Sequence, residues 1–254
     1  MIKTYTLAQD KIDALDAQIS GLLGKPPGTL PRILEKHKAL VAGSALVALL
    51  GTLSFTPNDV DIWVDASGGA ALLTALLAWT GAAVSPKSTQ LFTADYGRLG
   101  RDVCMIITLD TKVPLQIICV RRLTRALQAF DINICSVGWM GKKLWVGQED
   151  AMACLRARQM KLNEPAFREA SPEEQYRILM RLKKYGARGF GLQNKEWLQQ
   201  MDPAAVPKPR QSGTQNEAES RPSGATRART SVAPGLPTHT PNTPSALHGQ
   251  SPEH

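Results

Sequence analysis

The chain is expected to fold as an α+β domain, a small mixed sheet with helices packed on it, over residues 1–200, followed by a disordered tail over residues 201–254. Three observations lead there. Apolar residues recur at helical spacing near the N-terminus. A single strongly alternating strand stands alone in mid-chain. A group of closely spaced strands then gives way to helices. Strands clustered in this way, rather than alternating with helices, argue for helices on one face of a mixed sheet.

The elements follow in order. Over residues 11–23, Ile12, Leu15, Ile19, Leu22 and Leu23 share a helical face. Pro26-Pro27-Gly28 breaks the chain. Residues 30–40 read as a second helix, with Pro31 tolerated in the first turn. Residues 41–44, VAGS, read as a turn, and residues 45–53 as a short apolar helix. Residues 59–65, DVDIWVD, alternate as a strand, and residues 70–80 are small and apolar enough for a buried helix. Strand-like runs cover residues 103–109, 113–120, 130–138 and 143–146. The first two form a hairpin across Asp110-Thr111-Lys112, and residues 123–128 are a short helical link. From Glu149 the chain turns helical, over residues 151–162 and 171–185.

Composition bounds the rest. Apolar residues make up 43%, enough for an ordinary core. Residues 203–254 hold nine of the 17 prolines and no Phe, Trp or Tyr, so they cannot bury enough apolar surface to offset their ordering entropy. No apolar run approaches the roughly 20 residues of a membrane span, and the acid-bearing N-terminus has no signal-peptide core. The expectation is a soluble, intracellular, cytoplasmic protein without a membrane partner. Cys104, Cys119, Cys135 and Cys154 form no CxxC pair and read as buried free thiols. The net charge of +8 favours polyanionic partners. His37 has no recognisable partner and the other histidines lie in the tail, so no Ser-His-Asp or Cys-His arrangement is supported.

The chemistry centres on Asp59 and Asp61. On a strand, residues i and i+2 face the same way, so the two carboxylates project together from backbone positions roughly 6–7 Å apart. Like charges so placed repel unless a cation lies between them, and magnesium takes hard oxygen ligands from one or two carboxylates together with substrate phosphates. Fifteen residues earlier, Gly43-Ser44 precedes a short helix. Glycine admits close backbone approach to a phosphate, a helix start offers free N–H groups, and the Ser44 hydroxyl caps the helix or donates to phosphate. A phosphate cradle beside a carboxylate pair is what a metal–triphosphate site requires.

Those residues carry a resemblance. VAGSALVALL followed by DVDIWVD is similar to the GS-then-DxD signature of the polymerase-β-like nucleotidyltransferase superfamily. VPLQIICV, AFDINICSVGW and RLKKYGARGF resemble a branch of it found in viral and fungal proteins. In that branch a strand like IQLI precedes FDxD and a helix ending KYxxRGF. The resemblance spans residues 40–190 and implies the nucleotidyltransferase fold. It implies Mg2+ or Mn2+ as cofactor and an NTP as substrate. Asp59, Asp61 and Asp131 are then catalytic metal ligands. Gly43 and Ser44 hold phosphates, and Lys184, Tyr185 and Arg188 face the nucleotide. Gln116 stands where many relatives carry the third acid, and Asn133 where the branch often has a second Asp; Asp131 is the favoured third ligand. Apart from the resemblance, the cations near residue 184 also suit the dipole at a helix end. Trp63 shares the aspartates' face and serves either as pocket wall or as core. Asp65 reads as a strand-end residue.

The expected activity is transfer of an NMP from an NTP to a hydroxyl acceptor: an RNA end, a protein or a small molecule. The alternatives are a catalytically weak or inactive nucleotide-binding relative and a basic nucleic-acid-binding module.

Overall fold

In a computed structural model of the protein, residues 1–51, 55–86 and 102–196 are described. The tail expected over residues 201–254 lies outside them. Every described residue falls within one unit, Met1–Arg210.

Among the described residues the centre is a seven-stranded sheet in the order β1-β7-β6-β2-β3-β5-β4. Its strands are β1 Lys3–Thr6, β2 Leu40–Ala42, β3 Val60–Asp65, β4 Val103–Leu109, β5 Leu115–Val120, β6 Val137–Met140 and β7 Lys143–Val146. Only β3 and β5 run parallel; the other pairs are antiparallel, so the sheet is mixed as expected. The helices are α1 Gln9–Leu22, α2 Leu30–Lys36, α3 Ser44–Leu50, α4 Gly69–Thr80, α5 Leu123–Gln128, α6 Ala151–Arg156, α7 Glu164–Arg168 and α8 Pro172–Ala187. A small parallel pair, β8 Gln159–Met160 with β9 Gly191–Leu192, ties the chain after α8 back to the body. None of the described helices is long and apolar enough to cross a membrane.

The spacing predicted for α1 holds: Ile12, Leu15 and Ile19 are buried. On the same helix, the buried Asp16 accepts from Ser20 Oγ at 2.8 Å and from the Gly28 backbone, which pins the loop that Pro26-Pro27-Gly28 opens. Helices cover both sides of the sheet rather than one. Gly68 and Gly69 bring α4 against Val64 and Cys119, the face away from Asp61. Phe130, just after α5, packs edge-on to Trp63 on the Asp61 face.

Several elements differ from expectation. The second helix stops at Lys36, and Lys38 takes φ +49°, so the chain turns and Leu40–Ala42 becomes a fully buried strand. Buried on both faces, that strand shows no alternation, and its apolar run continues the helix pattern before it. Residues 130–138 form a strand only from Val137; Asn133–Cys135 is a 3-10 turn. Its Asn133 side chain accepts from Lys161 N at 2.8 Å and donates to Asp150 at 3.1 Å. The run expected as helix over 151–162 ends at Arg156, and Arg158 at φ +52° redirects it into β8. β1 was not expected: all four of its residues are exposed, so KTYT carries no apolar signal.

Candidate active site

The site begins where β2 ends. Ala42 pairs with Asp61, and the next residue, Gly43, has φ 79° and ψ −153°. That region is essentially open to glycine alone. A Cβ at Gly43 would sit 2.7 Å from Asp61 Oδ2. The close approach that requires glycine is therefore, first of all, to the aspartate. Ser44 opens α3 and is buried, and its Oγ donates to Asp59 Oδ1 over a long 3.5 Å.

Strand alternation and the turn bring Gly43, Ser44, Asp59, Asp61 and Trp63 to one side of a cavity of about 130 Å³. Phe130, Asp131 and Cys135 form a second side, and Arg181, Lys184 and Tyr185 of α8 a third. α8 starts cleanly. Ser171 Oγ accepts from Glu174 N at 3.3 Å, Glu174 accepts from Ser171 N at 2.9 Å, and Pro172 sits in the first turn. Residues 181, 184 and 185 then share a face by helical spacing.

Asp61 is electrostatically the most stressed group. Its Oδ1 is enclosed and has no hydrogen-bond partner among the described residues. Burial, and then the neighbouring Asp59, push its carboxyl well above the ordinary carboxylate range, and Lys184 partly offsets this. Two hard oxygen donors with a deficit of positive charge between them fit a divalent cation. Among the described residues no three His, Cys, Asp or Glu side chains converge as a larger metal cluster.

Asp131 lines the same cavity, but Arg181 engages it, with Nε and Nη2 both on Oδ2 and the Nε contact at 2.8 Å. Gln116 sits directly beside Asp61 in the parallel β3–β5 register, on the same face. Asn133 is occupied structurally, as described above. Cys135 Sγ donates to Tyr185 Oη at 3.2 Å, and burial drives its pKa up to about 12, so it is a neutral floor group and not a nucleophile. Burial also raises Tyr185.

Of the residues expected from the sequence, Gly43, Ser44, Asp59, Asp61, Asp131, Lys184 and Tyr185 all meet in this cavity. Arg188 does not line it. Its guanidinium lies 3.9 Å from the Phe55 ring centroid and 5.5 Å from that of Tyr185, bracing the helix end. Arg181 was missed as a site residue. The signal was present in the i, i+3, i+7 spacing of Arg181, Lys184 and Arg188, which marks a cationic stripe on one helical face. Trp63 is both wall and core, 2% exposed and packed at 5.2 Å on Phe130.

The architecture is the nucleotidyltransferase fold. The structure is similar to that of a CCA-adding enzyme in apo form I, with TM-score 0.51 and 14% identity over 77% of this chain and 44% of that one. It is also similar to the Thermotoga maritima CCA-adding enzyme complexed with tRNA, with TM-score 0.47 and 16% identity over 71% of this chain and 43% of that one. A tRNA nucleotidyltransferase with a primer tRNA and an incoming ATP analogue gives TM-score 0.45 and 18% identity over 65% and 46%. This chain thus spans less than half the length of each of these structures. No family model and no curated protein matches the sequence.

Proposed function

We propose that the protein is a divalent-cation-dependent nucleotidyltransferase that moves an NMP from an NTP to a hydroxyl acceptor. The observation that carries this reading is the enclosed, unpartnered Asp61 Oδ1 beside Asp59, in a cavity that also contains Gly43, Ser44 and Lys184. Fold-level likeness supports the class and leaves the chemistry to the site itself.

In this reading Asp59 and Asp61 would hold Mg2+ or Mn2+, and Asp131, engaged by Arg181 and not converging with them as a three-acid cluster, would join as a third ligand only on leaving that contact. The ion, when bound, supplies charge neutralisation for the triphosphate and acidifies the attacking hydroxyl. The Gly43 turn, the Ser44 hydroxyl and Lys184 bind the phosphates, and Tyr185 and Trp63 flank the nucleoside. The acceptor hydroxyl gives up its proton to solvent, its oxygen bonds to the α-phosphorus, the bond from that phosphorus to the α–β bridging oxygen breaks, and pyrophosphate leaves with that oxygen. What the chain contributes is mainly positioning and preorganised charge.

The direct test incubates the protein with each α-labelled NTP, magnesium or manganese, and RNA, protein or small-molecule acceptors. Label transfer that vanishes with EDTA is expected. Divalent-dependent NTP binding without transfer to any acceptor would favour a second reading, a non-catalytic nucleotide binder. The neutral Gln116 beside Asp61 and the Arg181 grip on Asp131 favour that alternative.

Lys184 offers a pH test. Its charge lowers the Asp61 pKa against the upward push of burial and Asp59. Lys184→Gln removes that counterweight, so the acidic limb of the pH–turnover curve moves to higher pH and NTP affinity weakens. An unmoved acidic limb would separate Lys184 from Asp61.

A further inference from the structure

A second cavity, of about 250 Å³, opens on the same face of the sheet. Register places it. Asp61 pairs with Ala42, Ala42 with Gly138, and Gly138 with Trp145, so Trp145 points to the same side as Asp61 from three strands away, roughly 14 Å. Met140 shares that face, two residues along β6 from Gly138. Between the two cavities runs α5: Leu123 at its start lines the second, and Phe130 just after its end lines the first. The helical path between those two residues is on the order of 10 Å.

The lining pairs cations with an apolar floor. Lys38, Arg121 and Arg122 are exposed at its rim, and none has an ion-pair partner among the described residues. The acid present, Asp65, already accepts the Leu123 backbone N–H through Oδ1 at 2.6 Å. Met140 and the half-buried Trp145 supply the apolar part. The Trp145 indole nitrogen is enclosed and without a hydrogen-bond partner among the described residues. Three cations against one carboxylate leave the lining net positive beside an indole, which matches the chemistry of a nucleotide, with phosphate on the cations and base against the ring.

We infer that this cavity binds one nucleotide, held as a residue of a single-stranded nucleic acid whose end reaches the Asp59–Asp61 cavity on the other side of α5. The role as acceptor strand rests on the proposed nucleotidyltransferase reading; binding at the cavity does not. The shared chemistry, phosphate plus planar base, also belongs to a free nucleotide, and the experiment separates the two.

The protein, residues 1–254, is titrated with a fluorescein-labelled 12-nucleotide single-stranded RNA in EDTA, with anisotropy as readout, across a salt series. The absence of divalent ions keeps metal–triphosphate binding out of the measurement. Arg121→Gln/Arg122→Gln should weaken RNA binding tenfold or more and reduce the log–log salt slope by about 1.4, two phosphate contacts' worth for a single strand. Trp145→Leu should weaken it roughly tenfold while Trp145→Phe keeps most of it, since any aromatic face stacks. Melting curves confirm that each variant is folded. AMP competing at a concentration near the RNA's own dissociation constant would reassign the cavity to a free nucleotide and overturn the strand. RNA affinity unchanged in both the double-Arg and Trp145→Leu variants would overturn the site altogether. Loss of turnover in variants of Asp59 and Asp61 with metal-free RNA binding intact would leave this inference standing, so the two readings fail separately.

Discussion

Replacing Asp59 and Asp61 together by Ala abolishes divalent-dependent NMP transfer, and Asp61→Asn alone cuts it by orders of magnitude while raising the melting temperature at neutral pH. The first effect follows from removing the hard oxygen donors: a neutral amide keeps the size of the carboxylate and loses its charge. The second follows from linkage. Burial and Asp59 hold the folded Asp61 pKa above its unfolded value. Below the ordinary carboxylate range, about pH 4, the group is neutral in both states and costs nothing. As pH rises through the elevated folded pKa, the folded protein must carry an enclosed charge, and stability is lost. Asn escapes that cost. The gain in Tm for Asp61→Asn is therefore present at pH 7 and disappears toward pH 4. Added magnesium should stabilise the wild type and not the variant. Turnover and Tm measured across pH check both halves. A variant that is inactive and also less stable at pH 7 would show that Asp61 is satisfied in the resting fold.

Gly43→Val should lose both fold stability and nucleotide binding. The sequence alone points to phosphate approach as the reason for glycine, and so to an effect on NTP affinity above all. The structure puts Asp61 Oδ2 2.7 Å from where a Cβ would be, at a backbone conformation of φ 79°. Strain there costs about 1–3 kcal/mol, and forcing atoms into an occupied site about 1–3 kcal/mol more. At about 2–4 °C per kcal/mol for a chain of this size, Tm falls by roughly 10 °C. Combining Gly43→Ala with Asp61→Gly separates the two causes: the double variant recovers the clash part of the loss and not the strain part. Full additivity of the two substitutions would mean that Asp61 is not what Gly43 accommodates.

What the sequence disclosed follows a physical pattern. DVDIWVD is buried on both faces apart from its acids, but Asp59 and Asp61 face a cavity, so its alternation is visible, and the strand and its two acids were placed from it. β2 is buried on both faces, has three residues, and is indistinguishable from the apolar helix that flanks it. β1 lies at the sheet edge with every side chain exposed, and only its pairing with β7 defines it. The acids, the Gly-Ser turn and the last turn of α8 could be named because they carry charge or glycine at fixed spacing. That Asp131 is gripped by Arg181, 50 residues away, and that Arg188 stacks on Phe55 are facts of tertiary packing. No local pattern encodes them.

The cavity draws on widely separated parts of the chain, and this gives it a history during synthesis. Gly43, Asp59 and Asp61 emerge from the ribosome long before Arg181, Lys184 and Tyr185. For that interval the nascent protein carries a mutually repelling pair of acids with no cationic wall opposite. The wall arrives with α8, is held by Arg181 on Asp131 and Cys135 on Tyr185, and is closed off when Gly191–Leu192 aligns beside Gln159–Met160. A polypeptide stalled short of residue 181 therefore has the electrostatic burden of the pocket without its binding capacity, and competence is the last property the domain acquires.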